Sequence, residues 1–161
     1  LTPKFVVSKL KKMSKRISIK QADPAAYKAM MAMENYVEGT ELTTIHKDLV
    51  RMRASQINGC SYCIDEHTRE AREHGESERR IYALTQRRDT PFFDEKERAV
   101  LALTEEVTLI GNRVSSETYS NAAFLFEPKY LAQLIMAIIV INAWNRIGVS
   151  TEMEPELLTE A

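Results

Sequence analysis

Cysteine is nearly absent from this chain, with only Cys60 and Cys63 among 161 residues. A framework of several disulfides, which small secreted domains use in place of a large core, is therefore excluded. Glycine and proline are also sparse, at five each, and Val, Ile and Thr form no alternating strand-like runs. Neither sign of charge dominates: the formal net charge is −1, so nothing in the balance points to a polyanion such as nucleic acid. No uninterrupted apolar run reaches the roughly 18 residues that a membrane span requires. The richest segment, 131–141, is broken by Gln133 and followed by Asn142, Asn145 and Arg146. No signal peptide is visible, because Phe5-Val6-Val7 is too short for an apolar core and is followed by lysines. These absences read as a cytoplasmic chain with no membrane and no nucleic-acid partner. In that compartment a lone cysteine pair is more often catalytic or metal-binding than structural.

What the chain does have is helix-forming sequence. Apolar residues make up 44% and charged residues 28%, an ordinary globular composition, and Ala, Leu, Met, Glu, Lys and Arg dominate. The length suits one domain with a real core. Residues 1–20 form a basic N-terminal leader: from Lys4 to Lys20 there are seven basic side chains and no acid. It reads as a solvated, partly disordered arm before a natural start near Met13. Residues 21–161 form the domain.

Punctuation divides that domain into about seven helices. Asp23-Pro24 opens the first, and Gly39-Thr40 ends it. The second covers roughly 41–56, with Leu42, Ile45, Leu49 and Met52 on one face, and Asn58-Gly59 stops it. The third runs from Cys60 to about His74, with Gly75 as its terminator. Ser77, Asp94 and Ser115 cap the next three, and Glu127-Pro128 opens a last helix that is apolar around most of its circumference. Such a helix must be surrounded by protein, either at the centre of the domain or in a subunit interface. The fold class is an all-α, single-domain helical bundle.

At about 100° per residue, positions 60, 63 and 67 fall within an arc of roughly 60° on one helix face. Cys60, Cys63 and His67 therefore form a column in which two thiols can close a small disulfide and an imidazole can take or hold a proton. The helix N-terminus supplies partial positive charge that favours thiolate. Asp48, on the preceding helix, lies about 40° from Met52 and so points toward the apolar face, where a carboxylate needs a partner. A relay from Asp48 through water or His67 to Cys63 is one reading, and a structural acid paired with Arg51 or Arg146 is the other. A zinc site drawing on Cys60, Cys63, His67 and either His74 or Asp48 is disfavoured, since no second CxxC and no spaced His pair exists. Two ordinary buried cysteines three apart remain a further reading. His46 lies roughly 160° around the helix from Asp48 and reads as surface. His74 reads as a C-terminal cap, and Trp144 with Asn142, Asn145 and Arg146 as packing and inter-subunit hydrogen bonds. The seven methionines fit helix cores and suggest no cofactor box.

The stretch from Ser55 to His67, Ser-Gln-Ile-Asn-Gly-Cys-Ser-Tyr-Cys-Ile-Asp-Glu-His, closely resembles the core motif of alkylhydroperoxidase AhpD-like proteins, within the carboxymuconolactone decarboxylase family. The resemblance runs from about Ser14 to Ser150 and includes Met33-Glu34-Asn35-Tyr36 and Ile141-Asn142-Ala143-Trp144-Asn145-Arg146, typical of the peroxidase-related, single-domain branch. It implies an all-helical fold assembled into homotrimers or homohexamers, with the last helices packed between subunits. It further implies thiol peroxidase or disulfide reductase chemistry without haem, flavin or metal. By that analogy Cys63 attacks a hydroperoxide, Cys60 resolves the product to a disulfide, a dithiol or thioredoxin-like donor reduces it, and His67 serves the proton relay. Two positions depart from the pattern: the best-known members carry glutamate where this chain has Asp48, and Tyr62 stands where some members have histidine. A lactone decarboxylase and a non-enzymatic thiol switch are the competing functions. The cysteine pair argues against the first.

Overall fold

The computed structural model describes residues 16–156, so the basic leader lies largely outside the described residues. Among these residues there are eight α-helices and no strand: α1 Ile19–Ala22, α2 Pro24–Glu38, α3 Thr44–Asn58, α4 Ser61–Glu73, α5 Glu78–Ala83, α6 Glu95–Thr108, α7 Ser116–Leu125 and α8 Pro128–Thr151. Seven of them are the helices expected from the punctuation, and α1 is one extra turn.

The helix starts are set by local chemistry. Asp23 accepts from the N–H groups of Ala25 and Ala26, and Pro24 occupies a first-turn position whose N–H has no intrahelical partner anyway. Asp94 and Glu97 form a reciprocal capping box at α6. At the end of α3, Gly59 adopts a left-handed conformation (φ 66°) that turns the chain straight into α4. The second helix begins at Thr44 with Thr43 as its cap, three residues later than expected. Leu42 is consequently buried from the loop, and Ile45 is 43% exposed.

Two apolar clusters share α3 and α6. The larger one gathers Val50 and Ala54 from α3, Val100 and Leu103 from α6, and Leu134, Ile138 and Ile141 from α8. The smaller one gathers Leu49, Met52, Ala71, Ile81, Leu84, Phe93 and Leu101 and seats α4 and α5 against the same two helices. Burying one such large aliphatic side chain contributes roughly 1.5–3 kcal/mol, so these clusters hold α3 and α6 in place, and α4 joins the smaller one through Ala71.

Helix α8 packs against α3, α6 and α2, with less than half of its most apolar stretch buried within the chain. Its most apolar stretch has a mean hydropathy of 1.4, so by length and composition it is able to cross a membrane. The expectation from uninterrupted runs was stricter, because Gln133, Asn142 and Asn145 break the sequence. Here those polar side chains are buried and bonded within the chain. Gln133 accepts from the Glu41 N–H at 3.2 Å. Asn58 donates to Asn142 and Asn145, each at 2.9 Å, and Asn145 donates to Ser55 at 2.9 Å. This amide network ties the turn before Cys60 to α8.

Candidate functional site

Cys60 is the N-cap of α4, and its sulfur accepts from the Cys63 N–H at 3.4 Å. The two sulfurs are at disulfide-bonding distance, with Cα atoms 5.3 Å apart. Both residues are buried, and the two sulfurs differ in their surroundings. Cys63 lines a cavity of about 1000 Å³, whereas Cys60 does not. Gly148 of α8 lies against the pair: a methyl group built there would come within 2.7 Å of the Cys60 sulfur and 3.5 Å of the Cys63 sulfur. Gly148 thus allows the α8 backbone to seal Cys60 from one side while Cys63 faces the cavity.

His67 lines the same cavity one turn beyond Cys63. Its Nδ1 lies 2.8 Å from Oε2 of Glu70, another lining residue. The His67 hydrogen bond holds the Glu70 carboxyl below its usual range, against the smaller opposing effect of burial. An ionised carboxylate only accepts, so His67 donates from Nδ1, and in the neutral imidazole the lone pair is then on Nε2. Tyr62, between the cysteines, donates to Glu66 at 3.3 Å, and burial together with that carboxylate pushes its phenol up. The cavity is also lined by Arg51, bridged to Glu34 and Glu38, and by Trp144, which donates to Glu34 at 2.8 Å and meets Tyr27 edge to face.

Of the four residues expected in the site, the structure brings Cys60, Cys63 and His67 together and separates Asp48. Asp48 is only 3% exposed, as its place on the apolar face of α3 required. Its Oδ2, however, lies 2.9 Å from Nδ1 of His74, in a second, smaller cavity, and no hydrogen bond links it to His67. Burial outweighs the help from His74 and pushes the Asp48 carboxyl above its usual range. His74 does end α4, as expected, yet its side chain serves Asp48 and not the helix carbonyls. His46 corrects another expectation: it is 7% exposed, with Nδ1 2.7 Å from the Tyr130 hydroxyl and its ring against Phe126. Positions 46 to 50 of α3 are all buried, so the angle between His46 and Asp48 does not put His46 at the surface, and Ile45 is the side chain left outside.

Sequence reasoning missed Glu70, Gly148 and the Arg51–Glu34 pair. A signal for the first was available, because 63, 67, 70 and 74 form a heptad-like stripe on one helix face. A lone glycine in the long apolar helix was the signal for the second, since glycine inside a helix marks a close approach.

A helical bundle that holds a cysteine pair at a helix N-terminus, one sulfur facing a cavity shared with histidine, defines a class of thiol-bearing all-α proteins. Residues 24–106 match the carboxymuconolactone decarboxylase family, and the matched span includes Cys60, Cys63 and His67. The chain belongs to that family. It is 38% identical over 139 residues to the uncharacterized protein YdfG of Bacillus subtilis, covering 86% of this chain and 95% of the relative. It is 35% identical to an Agrobacterium tumefaciens protein of unknown function that has been suggested to be the antioxidant defence protein AhpD, with a TM-score of 0.86 over 89% of this chain and 99% of that one. A peroxidase-related protein from Ralstonia eutropha JMP134, described as an alkylhydroperoxidase AhpD core, shares the fold at a TM-score of 0.74 and 16% identity, covering 85% of this chain and 74% of that one. The fold is AhpD-like.

Proposed function

We propose that this chain is a thiol-dependent hydroperoxide reductase that cycles between a dithiol and a Cys60–Cys63 disulfide. The observation that carries the reading is the division of labour between the sulfurs: Cys63 lines a cavity with His67, and Cys60 stands behind it at bonding distance. In the reduced chain His67 takes the Cys63 proton. The Cys63 thiolate attacks the terminal oxygen of a hydroperoxide, the O–O bond breaks, and the alkoxide leaves as alcohol with the proton from His67. Cys63 is then a sulfenic acid. The Cys60 thiolate attacks that sulfur, hydroxide leaves and is protonated to water, and the disulfide forms. A dithiol or thioredoxin-like donor supplies two electrons by exchange, is itself oxidised to a disulfide, and restores both thiols.

The position of Cys60 as N-cap supports this role, because a helix N-terminus favours a thiolate there. The cavity supports a substrate larger than hydrogen peroxide, and its aromatic wall of Tyr27 and Trp144 suits an apolar body. Association into homotrimers or homohexamers fits the 85% exposure of Phe124, an apolar side chain that a partner copy would cover. The test is consumption of tert-butyl hydroperoxide with dithiothreitol as donor. Turnover by the wild type and its loss in Cys63→Ser is the expected result. A wild-type rate no faster than dithiothreitol alone overturns the proposal.

A further inference from the structure

We infer that Glu70 is the positioning acid of the proton relay, acting on the Cys63 sulfur through His67. The inference rests on the thiol chemistry proposed above and assigns the relay a member that the sequence motif places elsewhere. Glu70 stands three residues beyond His67 on α4, and its carboxylate accepts the Nδ1–H of the imidazole at 2.8 Å. That bond fixes the tautomer, leaving Nε2 as the basic nitrogen on a ring that shares its cavity with Cys63. Asp48, the acid expected from the motif, is bonded to His74 in a separate cavity.

Glu70 does not itself carry the proton. The thiol proton moves from the Cys63 sulfur to Nε2 of His67, and the imidazolium so formed is paired with a carboxylate already in place. The same pairing is lost when the proton passes to a leaving oxygen, so the cycle balances without Glu70 changing charge. Neighbouring charges are arranged around this dyad. Arg51 and Asp48 face it from α3, with Glu34 and Glu38 of α2 behind Arg51. On α4 itself stand Glu66 and His74, and the cavity is also lined by Lys20, by Glu154 and Glu156, and by Arg16 paired with Glu152. Of these charged groups only Glu70 bonds the imidazole among the described residues.

The size of the effect follows from exposure. The His67 side chain is 13% exposed and that of Glu70 40%, so solvent screens the pair and the loss of one charge-assisted bond is worth about tenfold in thiolate population, not the larger factors of a dry site. The experiment is the pH dependence of Cys63 alkylation by iodoacetamide in the reduced Cys60→Ser background, which needs no peroxide. Glu70→Gln is expected to move the alkylation midpoint up by about one pH unit, tenfold in population. Glu70→Ala, which also frees the ring, is expected to move it at least as far. Unchanged profiles in both, with the fold confirmed by circular dichroism, overturn the inference. So does a full shift in Asp48→Asn with none in Glu70→Gln. A wild type that fails to reduce peroxide yet shows the Glu70→Gln shift would sink the peroxidase reading and leave this one standing.

Discussion

Replacing Gly148 by alanine tests how tightly α8 closes on the cysteine pair. In an ordinary helix interior this change stabilises a protein by roughly 0.5–1 kcal/mol, because glycine has more backbone freedom to lose. At position 148 the added methyl would sit 2.7 Å from the Cys60 sulfur, closer than carbon and sulfur pack, and 3.5 Å from that of Cys63. The nearer sulfur cannot swing aside while it is bonded to Cys63, so α8 or the start of α4 must move. Overpacking of this kind costs roughly 1–3 kcal/mol. Setting the two against each other leaves the oxidised variant about 1 kcal/mol less stable, or about 2–4 °C lower in melting temperature for a domain of this size. Reduction frees the Cys60 side chain to change rotamer, so the deficit should shrink when both proteins are melted in dithiothreitol. Thermal unfolding by circular dichroism, with and without reductant, reads both numbers. A variant that melts above the wild type when oxidised would refute the close approach of Gly148.

Glu105 receives hydrogen bonds from both Arg53 and Arg87, and the latter is 6% exposed. Burial opposes its ionisation, but the two guanidiniums outweigh burial and hold the carboxyl below its usual range. Because the folded pKa is depressed, its stabilisation is present above the unfolded carboxylate range and is lost as pH falls through the folded value. Glu105→Gln should therefore cost about 2–3 kcal/mol near pH 7, and the gap to wild type in urea unfolding should close toward pH 3. Asp48 carries the opposite sign, since its folded pKa is raised and the stability it contributes at low pH is lost as pH rises through that value. The stability of Asp48→Asn relative to wild type should accordingly improve between pH 4 and pH 7 in the same assay, and a constant difference would contradict the assignment.

The contrast between Asp48 and Glu70 explains what was legible in the sequence. Helix ends were legible because caps and breakers act locally: Asp23-Pro24, Asn58-Gly59, Ser77 and Asp94 each specify a terminus through bonds to residues within one turn. The Cys60, Cys63 and His67 column was legible for the same reason, being a single face of one helix. Where a side chain on α3 meets one on α4 was not, because that depends on how the two helices pack in space and not on bonds within one turn. Burial of the whole stretch 46 to 50 puts His46 inside and leaves Ile45 outside, and the packing of α3 against the end of α4 sets Asp48 against His74. The apolar character of α8 announced a packing role, yet only the packed structure shows that Asn142 and Asn145 fasten the turn before Cys60.

The most direct measurement is the site of the first oxidation. Cys60→Ser, fully reduced and then exposed to one equivalent of tert-butyl hydroperoxide in the presence of dimedone, should carry one dimedone adduct, located at Cys63 by tandem mass spectrometry. Cys63→Ser treated identically should remain unmodified at Cys60, whose sulfur is sealed beneath Gly148. An adduct that forms at Cys60 as readily as at Cys63, or none at either, would contradict the assignment of Cys63 as the attacking sulfur.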